Sequence, residues 1–127
     1  MTENKSTILI IDDEIVSRYT IEALLESDRY TLVFAENGVQ GLEKAQAIEP
    51  ALILLDVMMP GMNGFAVCRK LRADPRFVNT PVIMITAWDD ETARQRCLEV
   101  GAYEVICKPF NRVELHAKVE NFIKKQS

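Results

Sequence analysis

Four short apolar runs in this chain are each followed at once by residues that could do chemistry. Asp12-Asp13-Glu14 follow residues 8–11, Asp56 follows 52–55, Thr86-Ala87 follow 82–85, and Lys108-Pro109 follow 105–107. A fifth run, 31–35, leads only into Glu36-Asn37. If one structural edge gathers these sites, Asp12, Asp13 and Asp56 place three negative charges in a small cleft. Like charges that close raise one another's pKa and destabilise the fold unless a cation intervenes. Lys108 supplies one positive charge and a divalent metal two. Hard oxygen ligands without His or Cys select Mg²⁺ over zinc or copper, and Mg²⁺ bridges readily to phosphoryl oxygens. A carboxylate nucleophile, a metal, a cation and a hydroxyl are together the parts that phosphoryl transfer requires.

Taken singly, each of these residues has a plainer reading. Asp12 and Asp13 could cap a following helix as readily as bind metal. An Asp after a strand is usually a turn residue. Thr86 alone signifies nothing, Lys108 alone is a surface lysine, and Met58-Met59 could be core filler. What favours the chemical reading is that all four sites fall at the ends of apolar runs, in order.

The apolar runs define the elements that must position these residues. Runs 8–11, 52–55 and 82–85 are apolar at every position, the pattern of strands buried on both faces of a parallel sheet. Between them lie stretches with helical periodicity. Val16, Thr20, Ala23 and Leu24 are expected to share the buried face of the first helix, and Leu42 and Ala45 that of the second, with Asn37 as its N-cap. Phe65, Cys68 and Leu71 fit the third helix, and Ala93, Cys97 and Val100 the fourth, which Gly101 should end. Leu115, Val119, Phe122 and Ile123 line the fifth, with Asn111 as N-cap. Strand and helix alternate five times, so the expected class is α/β, a parallel sheet with right-handed crossovers and helices on both faces. In such a sheet all strands end on one edge, where ligands bind at the switch point of the strand order. If the order is 2-1-3-4-5, strands 1 and 3 flank that point and their carboxylates face each other.

Bulk properties narrow the function classes. At 127 residues the chain is one domain's worth, and 48% hydrophobic with 27% charged residues is ordinary globular composition. The net charge of -4 disfavours direct binding to nucleic acid or an anionic membrane. Cys68, Cys97 and Cys107 include no CxxC pair and read as free thiols of a reducing cytosol. No apolar run approaches a membrane span, and the polar N-terminal stretch 1–7 lacks the apolar core of a signal peptide. A cytoplasmic location is the expectation.

IIDDE over 10–14, LLDVMMPGMNG over 54–64, MITA over 84–87 and CKPF over 107–110 resemble the response-regulator receiver domain of two-component signalling. The likeness runs from about Ile8 to Phe122, and the motif around Asp56 is highly specific. The resemblance implies a single receiver domain over 1–127 (core about 7–124) with a flavodoxin-like, doubly wound sheet in the order 2-1-3-4-5. It implies that Asp56 is the phosphoacceptor. Asp13, Asp56 and the backbone carbonyl of Met58 would ligate Mg²⁺ directly, and Asp12 through water. Lys108 would pair with the phosphoryl oxygens, Thr86 would be the switch hydroxyl and the Ala87 N–H a backbone donor. The Lys108–Pro109 bond would be cis, with Pro60, Gly61 and Gly64 shaping the loop into the third helix. Met58 and Trp88 would border the path of the water that removes the phosphoryl group. The donor would be a phosphohistidine on a sensor histidine kinase or phosphotransfer protein. Signalling would pass through the fourth helix, fifth strand and fifth helix to a downstream protein effector or output domain, with no output domain expected after Lys125. Enzymatic activity would extend no further than self-phosphorylation and self-dephosphorylation.

The chain departs from the family at one point. The position three before the lysine, usually Tyr or Phe, is Val105; Tyr103 lies two residues earlier. Either Tyr103 takes over the aromatic step or that step is absent; its plainer reading is a half-exposed aromatic beside Gly101-Ala102. His116, the single histidine, reads as a solvated or half-buried side chain. Rival readings meet specific obstacles. An aspartate-nucleophile phosphatase needs a second Asp as general acid where Met58 stands. A flavodoxin-like cofactor binder needs a phosphate loop where Asp12-Asp13-Glu14 would repel phosphate. A receiver-like scaffold that takes no phosphate would have no need of the acidic set, Thr86 and Lys108.

Overall fold

The computed structural model describes residues 5–124; residues 1–4 and 125–127 of the expected domain, with most of the polar N-terminal stretch, lie outside it. Five strands alternate with five α-helices: β1 (Ser6–Ile11), α1 (Ile15–Leu25), β2 (Tyr30–Ala35), α2 (Gly38–Ile48), β3 (Leu52–Asp56), α3 (Gly64–Ala73), β4 (Val82–Thr86), α4 (Glu91–Glu99), β5 (Glu104–Cys107) and α5 (Arg112–Lys124). A short 3₁₀ turn, Pro75–Phe77, follows α3. All strand pairs are parallel, in the order β2-β1-β3-β4-β5. The parallel sheet is what the alternation predicts, and its order is the doubly wound one that the resemblance implies.

Side-chain alternation along the strands splits the core in two. Leu9, Ile11, Ile53, Leu55, Met84 and Val105 face α2, α3 and α4, packing on Ala45, Phe65, Cys68 and Cys97. Ile8, Ile10, Leu54, Ile83, Ile85 and Ile106 face α1 and α5, packing on Ile21, Leu25, Leu115 and Val119. Every residue of β3 and of β4 is buried, which explains why those runs show no polar alternation.

The expected buried face of α1 is corrected by the structure. Ile21 and Leu25 are the buried residues of α1, with Leu24 packed beside them, whereas Val16 is 72% exposed and Thr20 and Ala23 are exposed as well. An i, i+4 series starting at Ile21 points at the sheet. A series starting at Val16 is rotated off it, and the neighbouring apolar residues Ile15, Val16 and Tyr19 made the two registers hard to separate by pattern alone.

The helix starts follow their caps. Asn37 Oδ1 accepts the Gln40 N–H at 2.8 Å and Asn111 Oδ1 the Glu114 N–H at 2.8 Å, as expected. Asn63 and Asp90 do the same for α3 and α4, accepting from Ala66 and Ala93. Gly101, at φ +107, ends α4 in a conformation that side chains disfavour.

Candidate functional site

Parallel strands bring every strand exit to one edge, and the buried polar side chains collect there. Asp12, Asp56 and Thr86 are the buried polar or charged residues among the described ones, at 1%, 4% and 1% exposure. They follow or close β1, β3 and β4. The β1–β3 register pairs Ile11 with Leu55, so Asp12 and Asp56 emerge side by side at the switch point between β2-β1 and β3-β4-β5. Carboxylate oxygens of Asp12, Asp13 and Asp56 all lie within 4.8 Å of one another.

The loop after β3 is built to approach this cluster. Gly61 adopts φ +77, and a Cβ on Gly64 would stand 2.5 Å from the Asp56 carbonyl oxygen and 2.8 Å from the Val57 Cα. Gly64 N–H donates to Val57 O at 3.0 Å. A side chain at Gly64 would push the loop off the strand end, and one at Gly61 would be strained by the positive φ.

The three carboxylates are held differently. Asp12 Oδ1 accepts the Glu14 N–H at 2.9 Å and its Oδ2 the Ser17 hydroxyl at 2.5 Å. Asp56 Oδ1 accepts the Met58 N–H at 3.2 Å, and its Oδ2 lies 4.0 Å from Lys108 Nζ. Asp13 Oδ1 is buried with no hydrogen-bond partner. An ionised oxygen sealed from water without a donor is costly, and a cation would satisfy it. Asp56 itself is pushed from 3.8 up to about 7, first by burial and next by the Asp12 carboxylate, which outweigh Lys108 and the Met58 N–H. A divalent ion is the charge that this oxygen set lacks, and the absence of His or Cys from the cluster suits a hard cation such as Mg²⁺.

Lys108 reaches the cleft because its strand pairs with β4: Thr86 opposes Cys107, and the Lys108 N–H donates to Thr86 O at 2.7 Å. Its ammonium lies 3.8 Å from Glu14 Oε1 as well. The Lys108–Pro109 peptide is cis. Thr86 Oγ1 accepts the Trp88 N–H at 3.0 Å, and Ala87 is exposed at the exit of β4. Met58 and Trp88, 50% and 43% exposed, line one hollow with Pro60, Asn63 and Phe65. The structure thus brings Asp12, Asp13, Asp56, Thr86 and Lys108 to one edge, with Met58 and Ala87 on the loops beside them.

Two residues that the sequence reading passed over also belong here. Ser17 and Arg18, on the first turns of α1, bind the side chain and the backbone of Asp12. A hydroxyl five residues after Asp12 was the available signal. Tyr103, by contrast, is remote. Its N–H pairs with Val82 O at 2.8 Å, at the opposite end of β4 from Thr86, and its ring sits against Phe122 and Arg72 with its hydroxyl on Asn79 O. Val105 is buried under α2–α4. His116 is half-buried on α5 and bonded to Leu24 O, far from the acidic edge. Cys68, Cys97 and Cys107 are free thiols.

A parallel five-stranded sheet with an acidic triad, a lysine and a threonine at its switch point defines a phosphoacceptor class of α/β proteins. A family model, the response regulator receiver domain, matches residues 8–120, and the chain belongs to that family of two-component signalling proteins. Response regulator PleD of Caulobacter vibrioides is 43% identical over 114 residues, covering 90% of this chain and 25% of that protein. Transcriptional regulatory protein ResD of Bacillus subtilis is 37% identical over 124 residues, covering 98% of this chain and 50% of that protein. The chain thus spans half or less of these two curated relatives. Among solved structures, chemotaxis protein CheY4 of Vibrio cholerae superposes with a TM-score of 0.88 at 29% identity, over 94% of this chain and 99% of that one. The receiver domain of sensor histidine kinase PA1611 of Pseudomonas aeruginosa, with a magnesium ion coordinated in its active site cleft, superposes with a TM-score of 0.87 at 30% identity, over 95% and 99%. Among the described residues no helix is long and apolar enough to cross a membrane.

Proposed function

We propose that this chain is a Mg²⁺-dependent phosphorylation switch in which Asp56 accepts a phosphoryl group from a phosphohistidine on a sensor kinase or phosphotransfer protein. The observation that carries the reading is Asp56 itself: a buried carboxylate set among Asp12, Asp13 and Lys108, next to an unsatisfied Asp13 oxygen. An Asp56 oxygen attacks phosphorus, a P–O bond forms and the P–N bond breaks. The electron pair returns to the imidazole nitrogen, which takes a proton from solvent. Bound Mg²⁺ would neutralise charge on the phosphoryl oxygens, with Asp13, Asp56 and the Met58 carbonyl as its direct ligands and Asp12 as an outer one. Lys108 pairs with a second phosphoryl oxygen, and the Ala87 N–H and Thr86 hydroxyl with the third.

Thr86 would signal by turning its hydroxyl to the phosphoryl group, altering the α4–β5–α5 surface that a protein effector or output domain reads. Met58 stands where a phosphatase would hold its general acid, so the chemistry ends at self-phosphorylation and slow hydrolysis. A net charge of -4 gives no electrostatic pull toward nucleic acid or an anionic membrane, and a cytoplasmic site suits the donor.

Incubation with Mg²⁺ and acetyl phosphate, followed by intact-mass measurement, should add one phosphoryl group to the wild type and none to Asp56→Asn, because an amide is no nucleophile here. Undiminished labelling of the mutant would overturn the assignment.

A further inference from the structure

We infer that Ser17 is a positioning residue for the cation site, acting through Asp12; the inference rests on the Mg²⁺ reading given above. Every polar atom of Asp12 is held by the protein. Its N–H donates to Ala35 O at 3.0 Å and its carbonyl accepts Arg18 Nη1 at 2.7 Å. Its Oδ1 takes the Glu14 N–H at 2.9 Å, and its Oδ2 takes the Ser17 hydroxyl at 2.5 Å. The other two carboxylates differ. Asp13 keeps a buried oxygen with no partner, and Asp56 has one N–H and a lysine at 4.0 Å.

This asymmetry divides the work. Asp13 and Asp56 have oxygens free to enter a metal's inner sphere. On Asp12 each carboxylate oxygen already has one lone pair engaged by a protein donor. Each Asp12 oxygen still keeps a second lone pair, which suits it to accept a hydrogen bond from a metal-bound water. The aim of that lone pair depends on the carboxylate's terminal torsion, which is intrinsically broad and roughly two-fold. Two donors on two different oxygens remove that freedom. The Glu14 N–H is backbone and comes with the turn into α1. The Ser17 hydroxyl is the side-chain donor of the pair, and its place on the first turns of α1 aims it at Asp12 Oδ2. Ser17 also lines the same groove as Glu14, Lys108 and Ala87, so it borders the cleft. Partners of this second kind orient metal ligands, and their loss weakens metal binding.

The test compares Ser17→Thr with Ser17→Val, two side chains of one shape that differ by the hydroxyl, alongside Ser17→Ala. Mg²⁺ is titrated into the whole chain, with Trp88 emission and calorimetry as readouts. The expected result is that Ser17→Val and Ser17→Ala weaken Mg²⁺ binding by roughly tenfold, while Ser17→Thr stays near wild type. The rise in melting temperature on moving from EDTA to Mg²⁺ should shrink in Ser17→Val and persist in Ser17→Thr. A merely structural hydroxyl would lower both melting temperatures equally and leave that rise intact. Equal Mg²⁺ affinity of the Val and Thr variants overturns the inference while leaving the phosphorylation reading in place. A wild type that binds no Mg²⁺ overturns both.

Discussion

The backbone N–H of Trp88 donates to the hydroxyl oxygen of Thr86 at 3.0 Å, tying the half-exposed indole's backbone to a side chain that is 1% exposed. The carbonyl of the same residue faces the Cys107 thiol at 3.6 Å, across the β4–β5 register. Trp88 is therefore the aromatic residue joined to Thr86. Tyr103 is fastened at the far end of β4, and Val105 is aliphatic and buried.

If the Thr86 hydroxyl turns to a phosphoryl group, the Trp88 N–H loses this acceptor and the indole changes environment. Phosphorylation with acetyl phosphate should shift Trp88 emission in the wild type. Thr86→Val, which keeps the volume and removes the hydroxyl, should still be labelled at Asp56 but show a much smaller shift. An undiminished shift in that variant would place the coupling elsewhere.

Metal-free stability should depend on pH through Asp56. Its carboxyl is raised from 3.8 to about 7 in the fold, so between roughly pH 4 and pH 7 the native state holds a proton that the unfolded chain has released. Stability then falls as pH rises through that window. In EDTA, the melting temperature of the wild type should drop relative to Asp56→Asn by several degrees between pH 5 and pH 8. Parallel curves for the two proteins would show that Asp56 titrates normally.

Mg²⁺ affinity should depend on Asp13 more than on Asp12. The buried Asp13 Oδ1 has no partner and gains one with the ion, whereas both Asp12 oxygens already have donors. Fluorescence titration should rank Asp13→Asn as the weaker binder, by roughly tenfold or more against wild type. Equal affinities for Asp13→Asn and wild type would contradict the direct-ligand role.

The lifetime of the phosphoryl group should depend on Met58 and Trp88. Hydrolysis needs a water in line with the Asp56–phosphorus bond, and neither side chain offers a strong acceptor to orient one. Both line the hollow beside the loop that follows Asp56. Met58→Asn and Trp88→Glu should each speed the decay of phosphorylated protein in excess Mg²⁺, and the double variant more. Decay at the wild-type rate in both single variants would rule out shielding.

Much of this molecule was legible without coordinates because its signals are local. Runs such as 52–55 and 82–85, apolar at every position, announce strands buried on both faces, and Asn37, Asn111 and Gly101 mark helix ends by short-range hydrogen bonding and backbone sterics. The positions of Asp12, Asp56, Thr86 and Lys108 after those runs follow from the same pattern, since a parallel sheet sends every strand exit to one edge.

Other features depend on which surfaces meet. The α1 face was misread because Ile15, Val16 and Tyr19 supply a second apolar register, and only contact with the sheet selects Ile21 and Leu25. The distance of Tyr103 from Thr86 comes from where β5 begins against β4. Residue order specifies the succession of elements, the acidic edge and the identity of the groups on it. Tertiary structure alone decided how the three carboxylates differ: Ser17, Glu14 and Arg18 converge on Asp12 while Asp13 keeps a buried oxygen unsatisfied. That difference arises from directional hydrogen bonds and exclusion of water, which depend on atomic positions that residue order does not encode.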